Sequence, residues 1–198
     1  MTAMLFPIIS DVEHGERLGA PMVTWDELRE MAASNVFTIG NHTYDLHWRK
    51  NDEEGKEAMI GTYNKAGRLL TTEKRYDMIY NDLVKAETIY KEKTGLDMAK
   101  AISYPYGAYN EIVLHVVKDL GYEIGFTTEN GYHVLGTQTN LLEVKRYGIS
   151  YRNTVEKLLH TIEKSEALAN EKYAQRNMRV MSLYDRYEQE LRLTVSAI

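Results

Sequence analysis

No cysteine occurs in the 198 residues, which excludes disulfides, thiolate metal sites and cysteine nucleophiles and leaves the redox compartment open. No basic cluster occurs either, and the net charge is −5. Phosphate neutralisation needs a basic face, so a nucleic-acid partner is not expected. No stretch approaches the ~20 consecutive apolar residues of a membrane span. The first ten residues hold a short apolar run without a basic leader or a small-residue cleavage site, so they do not read as a signal peptide. Internal repeats, linkers and low-complexity segments are likewise missing.

What is there suits a soluble globular domain: 43% hydrophobic and 27% charged residues, in a length that supports one substantial core rather than two. Fifteen tyrosines stand against three phenylalanines. A tyrosine ring with a polar tip suits a sugar-binding groove, and half-buried rings of ordinary packing account for the skew equally well.

Along the chain, the run from Met4 to Ile9 reads as a buried strand, weakened by Pro7, and a loop with Gly15 and Gly19 follows. Thr24 and Glu27 form a capping box for a helix that presents Trp25, Leu28 and Met31. Val36 to Ile39 is a β-rich run ended by Gly40. Residues 48 to 71 read as a long polar loop. A helix is expected from Thr72 to Thr94, with Tyr76, Ile79, Leu83, Ala86 and Tyr90 inward and Gly95 as its C-cap. Ala101 to Tyr104 is a short strand, Asn110 caps a helix from Glu111 to Leu120, Tyr122 to Thr127 is a strand, and Leu142 to Ile149 contains another. This alternation argues for parallel βα units. Beyond Asn153 the chain is helical and charged. Leu158, Leu159 and Ile162 are expected to dock on the body, and Leu183, Tyr184, Tyr187, Leu191 and Leu193 mark an added amphipathic helix.

Two stretches carry candidate chemistry. Gly40-Asn41-His42-Thr43-Tyr44-Asp45-Leu46-His47 lies just past a parallel strand's C-terminal end, where α/β sites collect. Histidines five apart fall ~140° apart on a helix and on opposite faces of a strand. Only an irregular turn converges them on one ion, and neutral imidazoles bind zinc well. On spacing alone a structural or surface role remains the stronger reading. Tyr104-Pro105-Tyr106-Gly107 again ends a strand, and its amides are placed to hold an oxyanion; taken alone it is an ordinary βα turn.

Together, in this order and each after a strand, the two stretches resemble the polysaccharide deacetylases of the NodB-homology group, carbohydrate esterase family 4. The form His42-Thr43-Tyr44-Asp45-Leu46-His47 looks most like the branch acting on poly-N-acetylglucosamine. Val144-Lys145-Arg146-Tyr147-Gly148-Ile149 is similar to a later family segment whose arginine contacts the catalytic aspartate. The resemblance runs from about residue 3 to residue 160. It implies an α/β fold of the (β/α) TIM-like barrel type. It implies zinc or another divalent ion on His42 and His47, and an N-acetylated polysaccharide as substrate. The Tyr106 amide would be an oxyanion donor, Arg146 a catalytic contact, Thr43 an orienting group, and Tyr104 and Pro105 the groove wall. By family, the setting is the cell envelope or beyond.

One motif departs from the family. Its members carry a Thr-Phe-Asp-Asp-Gly-like motif on the first strand, supplying the general base and a third metal ligand. This sequence has no Asp-Asp pair; its opening residues resemble the second strand. The expectation is therefore an incomplete barrel over residues 1–165 with a helical tail over 166–198. Such a domain would be impaired as a deacetylase or serve as a non-catalytic glycan-binding remnant, with an open sheet edge that invites self-association. Asp11 is weighed as a substitute ligand and more readily as a loop or capping residue. His14, His115, His133 and His160, and the acidic run from Asn51 to Glu54, read as structural or solvated.

Overall fold

Short parallel strands, in the order in which they occur along the chain, are joined by helices, with one small antiparallel hairpin set apart from them. Strand β1 (Ala3–Leu5) is followed by helix α1 (Ile9–His14), a hairpin of β2 (Glu16–Arg17) and β3 (Ala20–Pro21), helix α2 (Trp25–Ala33) and strand β4 (Phe37–Ile39). Then come helix α3 (Thr72–Thr94), strand β5 (Ala101–Ser103), helix α4 (Glu111–Asp119) and strand β6 (Ile124–Phe126). The computed structural model describes residues 2–53, 55–131, 140–150, 152–168 and 170–171.

β1 pairs parallel with β4, and β5 with β6. A parallel bridge from Asn41 to Ile102 joins the two pairs, and another from Phe126 to Val144 adds one more step. The result is a mixed α/β arrangement of βα units, as the alternation of elements implies. Two apolar clusters pack against it. One gathers Leu28, Ile39, Ala86 and Tyr90 around α1 and α2. The other gathers Ile79, Leu83, Ile102, Val113 and Val117 between α3, α4 and the strands.

Local chemistry explains the boundaries. The capping box at Thr24 is complete in both directions. Helix α3 ends at Gly95 with φ +75, a left-handed conformation that costs glycine nothing. Asn110 accepts from the amides of Ile112 and Val113 and opens α4.

Three expectations change. The strand begun at Met4 stops at Leu5 and Ile9 already starts α1, because Pro7 has no N–H for a ladder. Nor is β1 buried: Ala3 and Met4 are exposed, and β4 is its one paired neighbour among the described residues. The presumed loop before Thr24 holds α1 and the hairpin, whose turn places both Leu18 and Gly19 at positive φ, as two-residue hairpins prefer. The segment from Leu142 to Ile149 forms a single turn at Leu141–Glu143 and one bridge at Val144 rather than a full strand.

The chain divides into two compact units, one of Met1–Glu129 and Gln138–Arg146, the other of Asn130–Thr137 and Tyr147–Ile198. Within the second, residues 155–168 are helical. Leu159 and Ile162 are each 53% exposed there, and Leu158 is half-buried. His133 and the tail positions Leu183 to Leu193 lie outside the described residues. No described helix is long and apolar enough to cross a membrane.

Candidate functional site

The histidine turn is held from three sides. Asn41 is fully buried; its Nδ2 donates to Leu83 O at 3.2 Å and Tyr122 Oη at 2.7 Å, while its Oδ1 accepts from Thr43 N at 2.7 Å. Asp82 of α3 accepts from the amides of Tyr44 and Asp45 at 2.8 and 2.9 Å. The first amides of α1, at Ile9 and Ser10, donate to Thr43 O and Tyr44 O, satisfying donors that a helix start otherwise leaves unpaired. Thr43 adopts φ +75, and its Oγ1 accepts from Leu46 N at 3.1 Å. This irregular path brings the His42 and His47 rings to 5.0 Å between centroids, the convergence that neither helix nor strand geometry allows.

The second stretch meets it. Tyr106 sits at φ +58 and Gly107 at φ +73. A Cβ on Gly107 would lie 2.7 Å from Thr128 N, so this position requires glycine. The Tyr106 ring lies 4.3 Å from the His47 ring, tilted by 42°, and the Arg49 guanidinium lies 4.1 Å over the Tyr106 ring. No backbone carbonyl accepts from the Tyr106 N–H among the described residues, so this amide remains available as a donor. A left-handed tyrosine is uncommon and costs energy.

Burial pushes the His42 imidazole down to about 4; the Ser103 carbonyl opposes this, while His47, Arg146 and Arg17 add to it. His47 is lowered as well, by burial first and Arg17 among the charges, with Asp11 opposing. Both rings are therefore neutral at pH 7, and their partners select the tautomers. His42 Nδ1 lies 2.5 Å from Ser103 O. A carbonyl only accepts, so Nδ1 carries the proton and Nε2 keeps its lone pair. His47 Nδ1 lies 3.0 Å from Arg17 Nη2. A guanidinium only donates, so here Nδ1 accepts and its lone pair is committed. Arg17 also pairs with Asp11 and reaches His47 O at 3.4 Å.

The candidate residues fall into three groups. His42, His47, Thr43 and Tyr106 come together. Arg146 joins them through its charge, its Nε donating to Thr127 O at 2.6 Å. Tyr104 and Pro105 do not present a groove wall. Tyr104 is fully buried with its hydroxyl donating to Leu142 O at 2.8 Å, and Pro105 is buried beside it. A ring tied into the core has no face left for a ligand. Asp45 pairs with Lys65 at 2.6 Å. His14 bonds Ser10 O, and His115 and His160 are exposed.

Sequence reasoning missed Asp82 and Arg17. Asp82 is a carboxylate on the inward side of an amphipathic helix, a signal in principle. Arg17 gave none, because its neighbour His47 is thirty positions away.

The donor set does not fit a resident divalent ion as it stands. His47 has given its lone pair to Arg17, Asp11 is paired with the same guanidinium, and no group of three histidines or carboxylates is placed for a metal among the described residues. Beyond His47 a cavity of about 420 Å³ opens, lined by Trp48, Arg49, Lys50, Asn51, Asn64 and Lys65.

Comparison with known proteins adds the following. Residues 1–125 match the family described as polysaccharide deacetylase. The poly-beta-1,6-N-acetyl-D-glucosamine N-deacetylase of Escherichia coli K12 is 30% identical over 126 residues, covering 54% of this chain and 17% of that protein. The enzyme of the same name from Staphylococcus aureus MSSA476 is 32% identical over 108 residues, covering 54% of this chain and 32% of that protein. The chain thus spans at most about a third of these relatives. Among solved structures, the de-N-acetylase from Aggregatibacter actinomycetemcomitans superposes with a TM-score of 0.66 at 19% identity, covering 81% of this chain and 64% of that one. The BpsB deacetylase domain from Bordetella bronchiseptica gives 0.60 at 24% identity, covering 73% and 60%. At these identities the two structures speak for the fold.

Proposed function

This chain belongs to the polysaccharide deacetylase family, and on that premise we propose that its site is that of an N-deacetylase for an N-acetylglucosamine-containing polysaccharide. The observation that carries this reading is the meeting of His42, His47 and Tyr106, from two successive βα turns, at the C-terminal ends of parallel strands. The matched relatives, named for poly-β-1,6-N-acetylglucosamine, support that substrate class. Trp48, which lines the neighbouring cavity, offers an indole ring of the kind that packs on a sugar.

The chain's own groups supply part of the chemistry. Attack of water on an N-acetyl carbonyl develops negative charge on oxygen, and the Tyr106 N–H, without a backbone acceptor among the described residues, is a donor of the kind that stabilises it. Arg146 adds positive charge next to His42. His42 Nε2 keeps its lone pair, since Nδ1 carries the proton toward Ser103 O. Thr43, Tyr104 and Pro105 act from beneath, by fixing the two turns rather than by touching sugar. Zinc or another divalent ion at His42 and His47 belongs to this reading as a Lewis acid, but the present donor set does not fit it, and no step is derived through it. An incomplete (β/α) barrel over residues 1–165, a helical tail over 166–198 and self-association along the β1 edge belong to the same proposal, as does a cell-envelope setting.

A second reading, a glycan-binding domain without turnover, is favoured by the Arg17–His47 bond and by the absence of a three-ligand group among the described residues. Acetate release from a soluble β-1,6-N-acetylglucosamine oligomer, alongside oligomer binding, separates the two. For these 198 residues alone we expect binding with little or no release. Release that His42→Ala abolishes would establish the enzyme; failure to bind any such oligomer would sink both readings.

A further inference from the structure

The loop between β4 and α3 encloses two cavities, one of about 420 Å³ and one of about 220 Å³, and Trp48 and Lys50 line both. Among the described residues, every charged side chain on their walls is a cation. Arg49 and Lys65 line the larger, Lys56 the smaller, and Lys50 is common to the two. The acidic residues Asp52 and Glu53 of the same loop are exposed and line neither. In a chain of net charge −5, a wall of one sign departs from the average surface.

These cations are held in place but only partly neutralised. Lys65 is paired with Asp45 at 2.6 Å. Lys50 is half-buried, and its ammonium lies 3.3 Å over the Tyr63 ring. A ring face attracts a cation without bringing a counter-charge, and no carboxylate pairs with Lys50 or Lys56 among the described residues. Arg49 meets the buried Glu57 through its Nε at 3.2 Å. The two terminal nitrogens of its guanidinium are thereby left for another acceptor. Carboxylates and phosphates take several such donors at once, through charge-assisted hydrogen bonds.

We infer that the cavities beside Trp48 seat an anionic substituent of the glycan, a carboxylate or phosphate on a sugar next to the N-acetylated one. Lys50 is its central contact, with Arg49 and Lys56 as the cations of the adjoining walls. The inference rests on the proposed function and narrows its substrate class to a polysaccharide that carries negative charge. Trp48 supplies the ring on which the sugar packs. Arg49 connects this subsite to the histidine turn, because its guanidinium lies 4.1 Å over the Tyr106 ring and that ring lies 4.3 Å from His47. A sugar held at Arg49 therefore has its neighbour in the chain beside the two turns. Half-burial of Arg49 and Lys50 strengthens their pull on an anion relative to fully solvated lysines.

Three tetrasaccharides are titrated into the full chain by calorimetry: a neutral N-acetylglucosamine oligomer, one in which glucuronate alternates with N-acetylglucosamine, and one that bears a 6-phosphate. At low salt at least one charged oligomer is expected to bind about ten-fold more tightly than the neutral one, and the tighter of the two identifies the anion. The preference should shrink as sodium chloride screens the charges. Lys50→Gln with Lys56→Gln is expected to bring charged and neutral oligomers within about two-fold of each other, while Lys50→Arg keeps the preference. Lys118→Gln, on α4 and away from both cavities, controls for net charge and should also keep it. A neutral oligomer that binds as tightly as the charged ones overturns this inference and leaves the proposed function standing. Charged oligomers that bind through Lys50 while the neutral one does not bind have the reverse effect. A preference that survives the double variant, or that Lys118→Gln removes equally, overturns the inference as well.

Discussion

Tyr44 donates its backbone N–H to Asp82 Oδ1 at 2.8 Å, and through this bond helix α3 holds the turn that carries both histidines. The neighbouring Asp45 amide uses the other carboxylate oxygen. One side chain thus takes up two donors that belong to no ladder or helix.

Removing that carboxylate leaves two part-buried amides without an acceptor. Asp82→Ala is expected to cost about 2–4 kcal/mol, read as a lower urea midpoint at constant slope. A loss below half a kilocalorie would mean that water replaces the carboxylate freely.

The same residue predicts a pH dependence. Burial pushes the Asp82 carboxyl from 3.8 up to about 6, the two amides and Lys85 opposing. A carboxyl with a raised folded value binds its proton more tightly in the native state. Its contribution is therefore fully present below about pH 4 and lost as pH rises through about 6. Asp82→Asn carries no such proton. The wild type should lose stability relative to that variant between pH 4 and pH 7, and parallel stability curves would refute the shift.

Asn41 serves the strand side of the turn. Asn41→Leu keeps the volume, leaves Thr43 N without its acceptor, and removes one bond each from Leu83 O and Tyr122 Oη. The expected loss is about 3 kcal/mol in guanidinium denaturation, with His42 and His47 no longer giving single sharp ring resonances.

Gly125 lies where β6 passes Tyr104. A Cβ there would fall 2.5 Å from the Tyr104 hydroxyl and 2.6 Å from Leu142 O, the two ends of one buried hydrogen bond. Gly125→Ala should destabilise by about 1–3 kcal/mol or more, measured by thermal unfolding; an unchanged Tm would show that the backbone yields at no cost.

Asn110→Ala removes the acceptor for Ile112 N and Val113 N at the start of α4. About 1 kcal/mol is expected in the same denaturation assay, and Asn110→Asp should recover most of it.

Much of this architecture is written in short-range pattern. Helix α3 begins and ends at the residues its periodicity and Gly95 indicate, and its inward positions Ile79, Leu83, Ala86 and Tyr90 are buried, while Tyr76, expected with them, is only half-buried. The caps at Thr24 and Asn110 form as their local chemistry requires. Such features involve neighbours within four or five positions, so the residues that decide them are adjacent in the chain. The two motif stretches were visible for the same reason. Tyr104 shows the limit: within its motif it looked like a groove residue, and a carbonyl 38 positions on draws it into the core.

Sequence alone therefore determined the alternation of strands and helices, the two candidate turns, and the family to which the chain belongs, because each rests on local spacing or motif. Only the tertiary structure decided what those turns can do. It brought Asp82 beneath the histidine turn, set Tyr106 against His47, and delivered Arg17 from a hairpin thirty residues away to the lone pair that an ion would need. Hydrogen bonds and charge act through space, and distance in space is the one quantity that order along the chain does not record.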